Sequence, residues 1–155
     1  MSKIIFMCGP AGSGKSTVAK RLECAGMVRL SFDEESFARG ITVHPLPAET
    51  HAEIEQDLRQ RLLRLIQQER DVVLDYAFWS RAMREQYKAM LTPFGIEAEI
   101  YYVATPKAIA LQRIRARTGN DPNAIRLSEE TAARYYDNFE PPTADEGRIT
   151  IIPGV

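Results

Sequence analysis

One segment of the sequence, residues 9–17, carries residue types at the spacing that binds phosphate. It reads Gly-Pro-Ala-Gly-Ser-Gly-Lys-Ser-Thr, which matches the pattern G-x-x-x-x-G-K-[ST]. The glycines free the backbone to point successive N–H groups at an anion, and a helix beginning near Lys15 adds the positive end of its dipole. The natural occupant is the polyphosphate of a nucleotide. The predicted phosphate-binding residues are Gly9, Pro10, Ala11, Gly12, Ser13, Gly14, Lys15, Ser16 and Thr17.

Two side chains of this segment and one distant acid indicate a magnesium site. Lys15 can reach the β and γ phosphates as a point charge, and the Ser16 hydroxyl can ligate a Mg²⁺ ion that bridges the same oxygens. Asp75 follows the apolar run Val-Val-Leu and should project from the C-terminal end of a buried strand, where ligands bind in open α/β sheets. We therefore predict Ser16 and Asp75 as metal ligands. The alternative is that Asp75 is exposed simply because its strand has ended.

Asp33 is a candidate general base. It follows a short second strand and is expected at the same sheet edge as the glycine segment. A hydroxyl that attacks a γ-phosphoryl group must be oriented and must lose its proton, and a carboxylate within hydrogen-bond reach does both. The alternative is a helix cap, because Asp33 precedes two glutamates that suit the first turn of a helix.

Arginines lie on both sides of a turn-rich segment, residues 118–127, which we predict to be a lid. Arg113 and Arg117 are four positions apart and should share one helix face, and Arg115 and Arg126 are close by. Arginines brought in by lid closure would stabilise the charge that develops on a transferring phosphoryl group. The alternative is an ordinary surface helix with salt bridges.

Aromatic residues complete the set of candidates. Phe78 and Trp79 directly follow the Asp75 strand, and we expect one ring to line an acceptor pocket while the other packs inward. Tyr135, Tyr136 and Phe139 recur at helical spacing and are expected in the core.

The elements that must position these residues alternate between strand and helix. Apolar runs predict strands at 3–8, 27–32, 72–75, 96–103 and 148–152, and helical patterns lie between them. Ser80, Thr105 and Ser128 are expected to cap three of the helices. This order predicts an α/β fold, a three-layer α/β/α sandwich around a five-stranded parallel sheet.

Length and composition limit the remaining possibilities. The 155 residues suit one domain spanning 1–155, and the net charge of -1 provides no global attraction to nucleic acid or acidic lipid. Cys8 and Cys24 are too few for a disulfide framework and are expected to pack as small apolar side chains. No signal sequence or membrane span is visible, so we expect a cytoplasmic protein without a membrane partner.

Taken together, the phosphate loop, Asp33, Asp75 and the arginine pair before a short lid resemble the small P-loop kinases. The most similar group comprises the polynucleotide 5′-hydroxyl kinases, chloramphenicol phosphotransferase and the zeta-toxin-like kinases. The resemblance implies a P-loop NTPase fold of the nucleoside-kinase type, with ATP and Mg²⁺ as cofactors. It places Lys15 and Ser16 on ATP–Mg²⁺, Asp33 on the acceptor hydroxyl, and Arg113 and Arg117 on the phosphates. The Asp-Gly-Phe-Pro-Arg stretch of adenylate kinases, the Gly-Gly-Gly loop of shikimate kinases and the guanine-reading Asn-Lys-x-Asp of GTPases are absent from the sequence.

Three functional hypotheses follow. The first is an ATP-dependent kinase that phosphorylates a hydroxyl of an unidentified small molecule. The second is a kinase that acts on the 5′-hydroxyl of a nucleic acid, with a phosphate track made of Arg39, Arg59, Arg61 and Arg64. The third is an ATPase or nucleotide-dependent switch, in which a long helix at residues 49–70 contacts a protein partner.

Overall fold

A five-stranded, fully parallel sheet forms the centre of the computed structural model, which describes residues 2–41, 46–117 and 127–154. Its strands are β1 (Ile4–Cys8), β2 (Val28–Ser31), β3 (Val72–Asp75), β4 (Glu99–Ala104) and β5 (Arg148–Pro153). Their order across the sheet is β2-β3-β1-β4-β5, with every neighbouring pair parallel. The predicted α/β fold and strand number are confirmed.

Six α-helices within the described residues connect these strands. They are α1 (Lys15–Cys24), α2 (Phe32–Ala38), α3 (Ala48–Gln67), α4 (Arg81–Leu91), α5 (Lys107–Arg115) and α6 (Glu129–Asn138). Short 3-10 turns follow α4 at Thr92–Phe94 and precede β5 at Ala144–Glu146. None of the helices in this described part is long and apolar enough to cross a membrane.

The sheet is buried on both faces, which explains why the β1 sequence is apolar without alternation. Ile4 and Phe6 point into one core, which contains the buried faces of α3 and α4. Ile5 and Met7 point into the other core, where α1 contributes Ala19. Helices therefore cover both faces, and the predicted three-layer sandwich is confirmed.

Serine caps fix the entry of three helices. The Ser80 hydroxyl accepts a hydrogen bond of 3.1 Å from the Met83 amide, and the Ser128 hydroxyl accepts one of 3.1 Å from the Thr131 amide, as predicted. The cap of α2 is Ser31, whose hydroxyl accepts from the Glu34 amide at 3.2 Å. The interpretation of Asp33 as the helix cap is therefore wrong, because the preceding turn already supplies a hydroxyl at the capping position.

Two further sequence predictions are wrong. Thr105 does not cap α5, which begins after Pro106 without a side-chain cap. Cys24 is exposed at the end of α1, whereas Cys8 is buried as expected, and burial raises the pKa of the Cys8 thiol to about 12. Helical spacing could not place Cys24, because the last turn of α1 extends beyond the surface that the helix buries. Residues 118–126 of the predicted lid, including Arg126, lie outside the described residues.

Candidate active site

The loop between β1 and α1 needs glycine at two positions for different reasons. Gly12 has a φ of +82°, and a Cβ atom there would lie 2.4 Å from the Ala110 carbonyl oxygen of α5. Gly14 has a φ of +96° and directly precedes Lys15, where α1 begins. Side chains are strained in this left-handed region, and at Gly12 one would also collide with backbone. The loop thus holds α5 closely on one side and presents the N-terminus of α1 on the other.

Hydrogen bonds from neighbouring elements brace this loop. The Thr105 hydroxyl donates to the Ser13 carbonyl at 2.6 Å, which is the role it has in place of the predicted cap. Nη1 of Arg113 donates to the carbonyls of Gly12 and Ser13 at 3.3 and 3.1 Å. Because these carbonyls accept hydrogen bonds from Thr105 and Arg113, they stay turned away from the loop amides, which remain available for an anion. Arg113 therefore lies at the loop, and its predicted role on the phosphates themselves stays a prediction.

Ser16 and Asp75, the two predicted metal ligands, are in direct contact. The Ser16 hydroxyl donates a 2.9 Å hydrogen bond to Oδ2 of Asp75. The other carboxylate oxygen, Oδ1, is buried and has no hydrogen-bond partner among the described residues. A buried oxygen without a partner costs free energy unless a ligand satisfies it. Carboxylate and hydroxyl oxygens are the donors that Mg²⁺ prefers, and the pair fits that ion, directly or through its bound water.

Arg29 is the site residue that the sequence analysis missed. Its side chain, 2% exposed, donates from Nε and Nη2 to Oδ2 of Asp75 at 3.2 and 2.9 Å and forms an ion pair with Glu34. Burial alone would lower the pKa of Arg29, but the adjacent carboxylates of Asp75 and Glu34 outweigh this effect and raise it. Arg29 thus fixes the orientation of the Asp75 carboxylate. The available signal was a lone arginine inside the short strand Val-Arg-Leu-Ser, since a charge in a buried strand requires a partner.

A cleft of about 950 Å³ opens beside the phosphate loop. Pro10, Ala11 and Lys15 line it at the loop end, and Asp33 lies on the same cleft. The lining beyond the loop comes from helices α2, α3, α4 and α6, from the segment after β3, and from residues just before α3, just after α5 and just before α6. It consists of Phe32, Asp33, Leu46, His51, Glu55, Tyr76, Ala77, Trp79, Ser80, Ala82, Met83, Gln86, Tyr87, Arg117, Leu127, Tyr135 and Asn138. The geometry thus brings Lys15, Asp33 and Arg117 to one cavity.

Asp33 and Arg117 influence each other inside this cleft. Burial lowers the pKa of Arg117, and the nearby Asp33 carboxylate acts in the opposite direction. Burial also raises the pKa of Tyr135, with Asp33 adding to the effect and Arg134 opposing it. Arg117 lies just beyond the end of α5, where its amide donates to the Ile114 carbonyl. The predicted pair therefore separates: Arg113 supports the loop from behind, while Arg117 faces the cleft.

The wall opposite the loop is aromatic. Phe32 stacks on His51 with ring centroids 5.0 Å apart and meets Tyr76 edge to face at 4.9 Å. Phe78 is fully buried and stacks on Phe6, whereas Trp79 is 54% exposed and lines the cleft. The prediction that one of these two neighbours lines a pocket while the other packs inward is confirmed. Phe139 is buried as predicted, but Tyr135 lines the cleft and Tyr136 donates to the Thr105 carbonyl at 2.6 Å.

A strained turn joins the end of β3, which carries Asp75, to the aromatic wall. Ala77 and Phe78 follow Asp75 closely and have φ values of +68° and +46°, conformations that side chains rarely adopt. The turn is held from the loop side, because the Gly9 amide donates to the Ala77 carbonyl at 3.1 Å. It is held from below as well, because Nη1 of Arg84 donates to the Phe78 carbonyl at 2.7 Å.

Arg84 is itself part of a fully buried ion pair. Its Nε atom donates to Oε1 of Glu146 at 2.7 Å, and neither side chain is exposed. Burial on its own raises the pKa of Glu146, but hydrogen bonds from Arg84 and from the Thr143 amide outweigh burial and lower it. The pair therefore anchors the strained turn to the segment before β5. Spacing along the sequence gives no sign of this pair, because 62 positions separate its two members.

Comparison with known proteins shows similarity to a protein family and to a kinase. A family model described as AAA domain matches residues 4–142. The chain is 32% identical over 147 residues to the cytidylate kinase of Haloarcula marismortui, which covers 86% of this chain and 72% of that kinase.

Two solved structures share the fold. A candidate kinase from Chloroflexus aurantiacus has a TM-score of 0.76 and 16% identity, over 98% of this chain and 88% of the other. A gluconokinase from Sinorhizobium meliloti has a TM-score of 0.69 and 18% identity, over 99% and 83% of the two chains. The chain therefore belongs to the AAA domain family, as a member of the small P-loop kinases.

Proposed function

We propose that the protein is an ATP-dependent kinase that transfers the γ-phosphoryl group to a hydroxyl of a small-molecule acceptor. One observation carries the proposal: the carboxylate of Asp33 and the ammonium of Lys15 line the same cleft. Lys15 belongs to the loop that would bind the polyphosphate, and Asp33 belongs to the wall that an acceptor would contact. An acceptor in the cleft would thus lie between a phosphate donor and a base.

The nucleotide half of the reaction uses the braced loop. The amides of the loop and Lys15 would hold the β and γ phosphates, and Ser16 with Asp75 would hold Mg²⁺. When bound, the ion neutralises the charge that develops on the phosphate oxygens. Arg29 keeps Asp75 oriented toward Ser16, and Arg113 keeps the loop carbonyls turned away from the phosphates. ATP is the proposed donor, since the guanine-reading signature is missing from the sequence.

The acceptor half uses Asp33. Its carboxylate would accept the proton of the attacking hydroxyl while the new bond to phosphorus forms, and the bond to the leaving ADP breaks. The capping of α2 by Ser31 supports this role, because a hydroxyl already fills the cap position and the helix does not need the Asp33 carboxylate there. Arg117 lies in the same cavity, where its guanidinium would stabilise charge on the transferring group.

The charge of the cleft favours a hydroxyl over a phosphate as acceptor. Apart from Lys15, Arg117 is the one arginine or lysine among the lining residues that the structure describes, and Asp33 and Glu55 lie there too. A phosphate acceptor would carry roughly two negative charges and would need several cations around it. The described lining instead balances its charges.

A second candidate is transfer to the phosphate of a nucleoside monophosphate. The 32% identity to a cytidylate kinase supports it, and the aromatic wall could accept a base. The described lining holds too few cations for a second phosphate group, which argues against this candidate. The chemical linkage in the product, ester or anhydride, decides between the two candidates.

A nucleic-acid acceptor has less support. Of the proposed phosphate track, Arg61 pairs with Glu35 at 3.1 Å and with Asp57 at 2.8 Å, and Arg39 pairs with the same two acids at 3.4 and 3.6 Å. Arg59 pairs with Glu55 at 2.9 Å. Each of these guanidiniums has a carboxylate neighbour, so this face would attract a phosphate backbone only weakly.

The test is a transfer assay with γ-labelled ATP, Mg²⁺ and a panel of nucleosides, nucleoside monophosphates, sugars and aromatic alcohols. Phosphorus NMR of the labelled product identifies the new linkage. A phosphate ester supports the proposal. A phosphoanhydride would establish the second candidate instead, and release of inorganic phosphate alone with every acceptor would indicate an ATPase or switch.

A further inference from the structure

The acceptor end of the cleft carries a continuous row of rings. His51, Phe32 and Tyr76 follow one another with centroids 5.0 and 4.9 Å apart, and Tyr76 meets Tyr87 at 5.8 Å. All four residues line the cleft, and Trp79 lies at its more exposed part. Ring faces and edges of this kind bind planar groups better than flexible polar chains, because stacking adds to the burial of apolar surface.

Two hydroxyls in this row lack a satisfied hydrogen bond. The phenol oxygens of Tyr76 and Tyr87 are buried and have no partner of acceptable geometry among the described residues. The two side chains belong to residues that are 6% and 2% exposed. The Arg59 guanidinium lies over the Tyr87 ring, 5.4 Å from its centroid, so Tyr87 has a polar neighbour. The Tyr76 hydroxyl is therefore the one that more clearly needs a hydrogen-bond partner from a ligand. An unsatisfied buried hydroxyl is costly, and a ligand atom that completes it gains affinity.

Glu55, the acidic residue of α3 in this lining, already has partners. Oε1 of Glu55 forms an ion pair with Nη2 of Arg59 at 2.9 Å, and Oε2 of Glu55 lies 3.8 Å from Nδ1 of His51. Asp33 lies close enough to Arg117 to oppose the lowering of the Arg117 pKa by burial. Apart from Lys15, Asp33 and Arg117, the described lining offers an acceptor neutral polar groups, among them the two phenols, Gln86 and Asn138.

We propose that the acceptor is an uncharged alcohol that carries a planar aromatic or heteroaromatic ring, held against Phe32 and Trp79 and hydrogen bonded by the Tyr76 and Tyr87 hydroxyls. This inference rests on the proposed kinase function and narrows its substrate class. Charged acceptors without a ring, such as sugar acids, would place a charge against the aromatic row and would gain nothing from stacking.

Trp79 makes the proposal measurable without turnover. It is the single tryptophan of the chain, so its fluorescence reports on this cleft. The full-length protein, loaded with Mg²⁺ and a non-hydrolysable ATP analogue, is titrated with cytidine and benzyl alcohol as neutral ring alcohols. Xylitol lacks the ring, gluconate lacks the ring and carries a charge, and cytidine monophosphate differs from cytidine by one phosphate.

We expect cytidine and benzyl alcohol to shift the Trp79 emission saturably, at concentrations about tenfold or more below those needed for the other three compounds. Tyr76→Phe should raise the half-saturating concentration of cytidine about tenfold, the value of one lost hydrogen bond in a buried site. The melting temperature of that variant should stay unchanged or rise, since the substitution removes an unsatisfied hydroxyl. A purely structural tyrosine would give the reverse combination.

The proposal is overturned if xylitol, gluconate or cytidine monophosphate acts at equal or lower concentration than the neutral ring compounds, or if neither ring compound shifts the emission. Unchanged cytidine binding in the double variant Tyr76→Phe/Tyr87→Phe overturns it as well. These outcomes are independent of the proposed function, which is judged by whether the transfer product is an ester or an anhydride.

Discussion

The hydroxyl of Ser16 and the carboxylate of Asp75 are hydrogen bonded at 2.9 Å although 59 positions separate them in the sequence. The contact ties the first turn of α1 to the end of β3, and Arg29 of β2 completes it from the far side. Three neighbouring structural elements thus meet at one carboxylate.

Asp75→Asn should raise the Mg²⁺ concentration needed for half-maximal activity about tenfold or more, because the amide keeps the shape of the side chain but loses its charge. The measurement is a magnesium titration of phosphoryl transfer at saturating ATP. Asp71→Asn is the matched control, since Asp71 precedes the opposite end of the same strand and accepts a hydrogen bond from the Lys3 amide. Equal magnesium requirements in both variants would show that Asp75 does not serve the ion.

Asp33→Asn should lower kcat for transfer by about a hundredfold or more, since general base catalysis is typically worth that amount. The affinity for ATP, measured by calorimetry, should not change, because Asp33 lies on the acceptor wall. Glu35→Gln provides the control from the same helical turn, as its carboxylate pairs with Arg39 and Arg61 and Glu35 is not among the described lining residues. Full turnover in Asp33→Asn would remove the residue from the chemistry.

Arg113→Ala should raise the KM for ATP about tenfold while kcat stays within about twofold, because the loop carbonyls lose two hydrogen bonds but the transferring group loses none. Arg115→Ala is the control, since Arg115 is an exposed neighbour on the same helix and pairs with Glu129. A fall in kcat with an unchanged KM would instead place Arg113 on the phosphates, as the resemblance to small P-loop kinases implies.

Arg84→Met should destabilise the fold by about 3–5 kcal/mol, since it leaves the Glu146 carboxylate buried without its partner. The double variant Arg84→Met/Glu146→Leu should recover much of that loss, because no charge then remains in the core. Denaturant unfolding gives both values. Arg81→Met tests an exposed ion pair on the same helix, with Asp145, and little change is expected there. A double variant as unstable as the single one would show that the charge is not the cause.

The same pair predicts how stability depends on acid. The pKa of Glu146 is lowered in the folded protein, so its contribution to stability is present above the unfolded value of about 4.3 and is lost as the pH falls through the folded value. The unfolding free energy of the wild type should therefore decrease more steeply than that of Glu146→Gln as the pH is lowered below about 4.3. Parallel curves for the two proteins would contradict this linkage.

The sequence predicted the framework of the site because local patterns determine it. A β1 run without alternation indicates burial on both faces, and the glycine spacing indicates the loop that follows. Ser80 and Ser128 were predictable as caps, since capping depends on residues three positions apart. The opposite environments of Phe78 and Trp79, one buried and one on the cleft, were predictable because both directly follow the end of a buried strand.

Long-range polar partners could not be predicted in this way. The hydrogen bond from Thr105 to the loop spans 92 positions, and the bond between Arg84 and Glu146 spans 62. Helical spacing assigned Arg113 and Arg117 one face, but α5 ends at Arg115 and the two guanidiniums diverge. Which carboxylate a guanidinium reaches depends on how helices pack against the sheet, and spacing along the chain does not encode that arrangement.

The turn at Ala77 and Phe78 has a consequence for the evolution and engineering of this protein. Substitutions that relax the turn, such as glycine at either position, would remove the steric strain of the positive φ values and lower the energy of the native backbone. They would also let the turn move more freely against Gly9, whose amide donates to the Ala77 carbonyl, and so loosen the wall that bears Tyr76 and Trp79. A search for heat-tolerant variants in this region would therefore be expected to select proteins that survive longer and work more slowly.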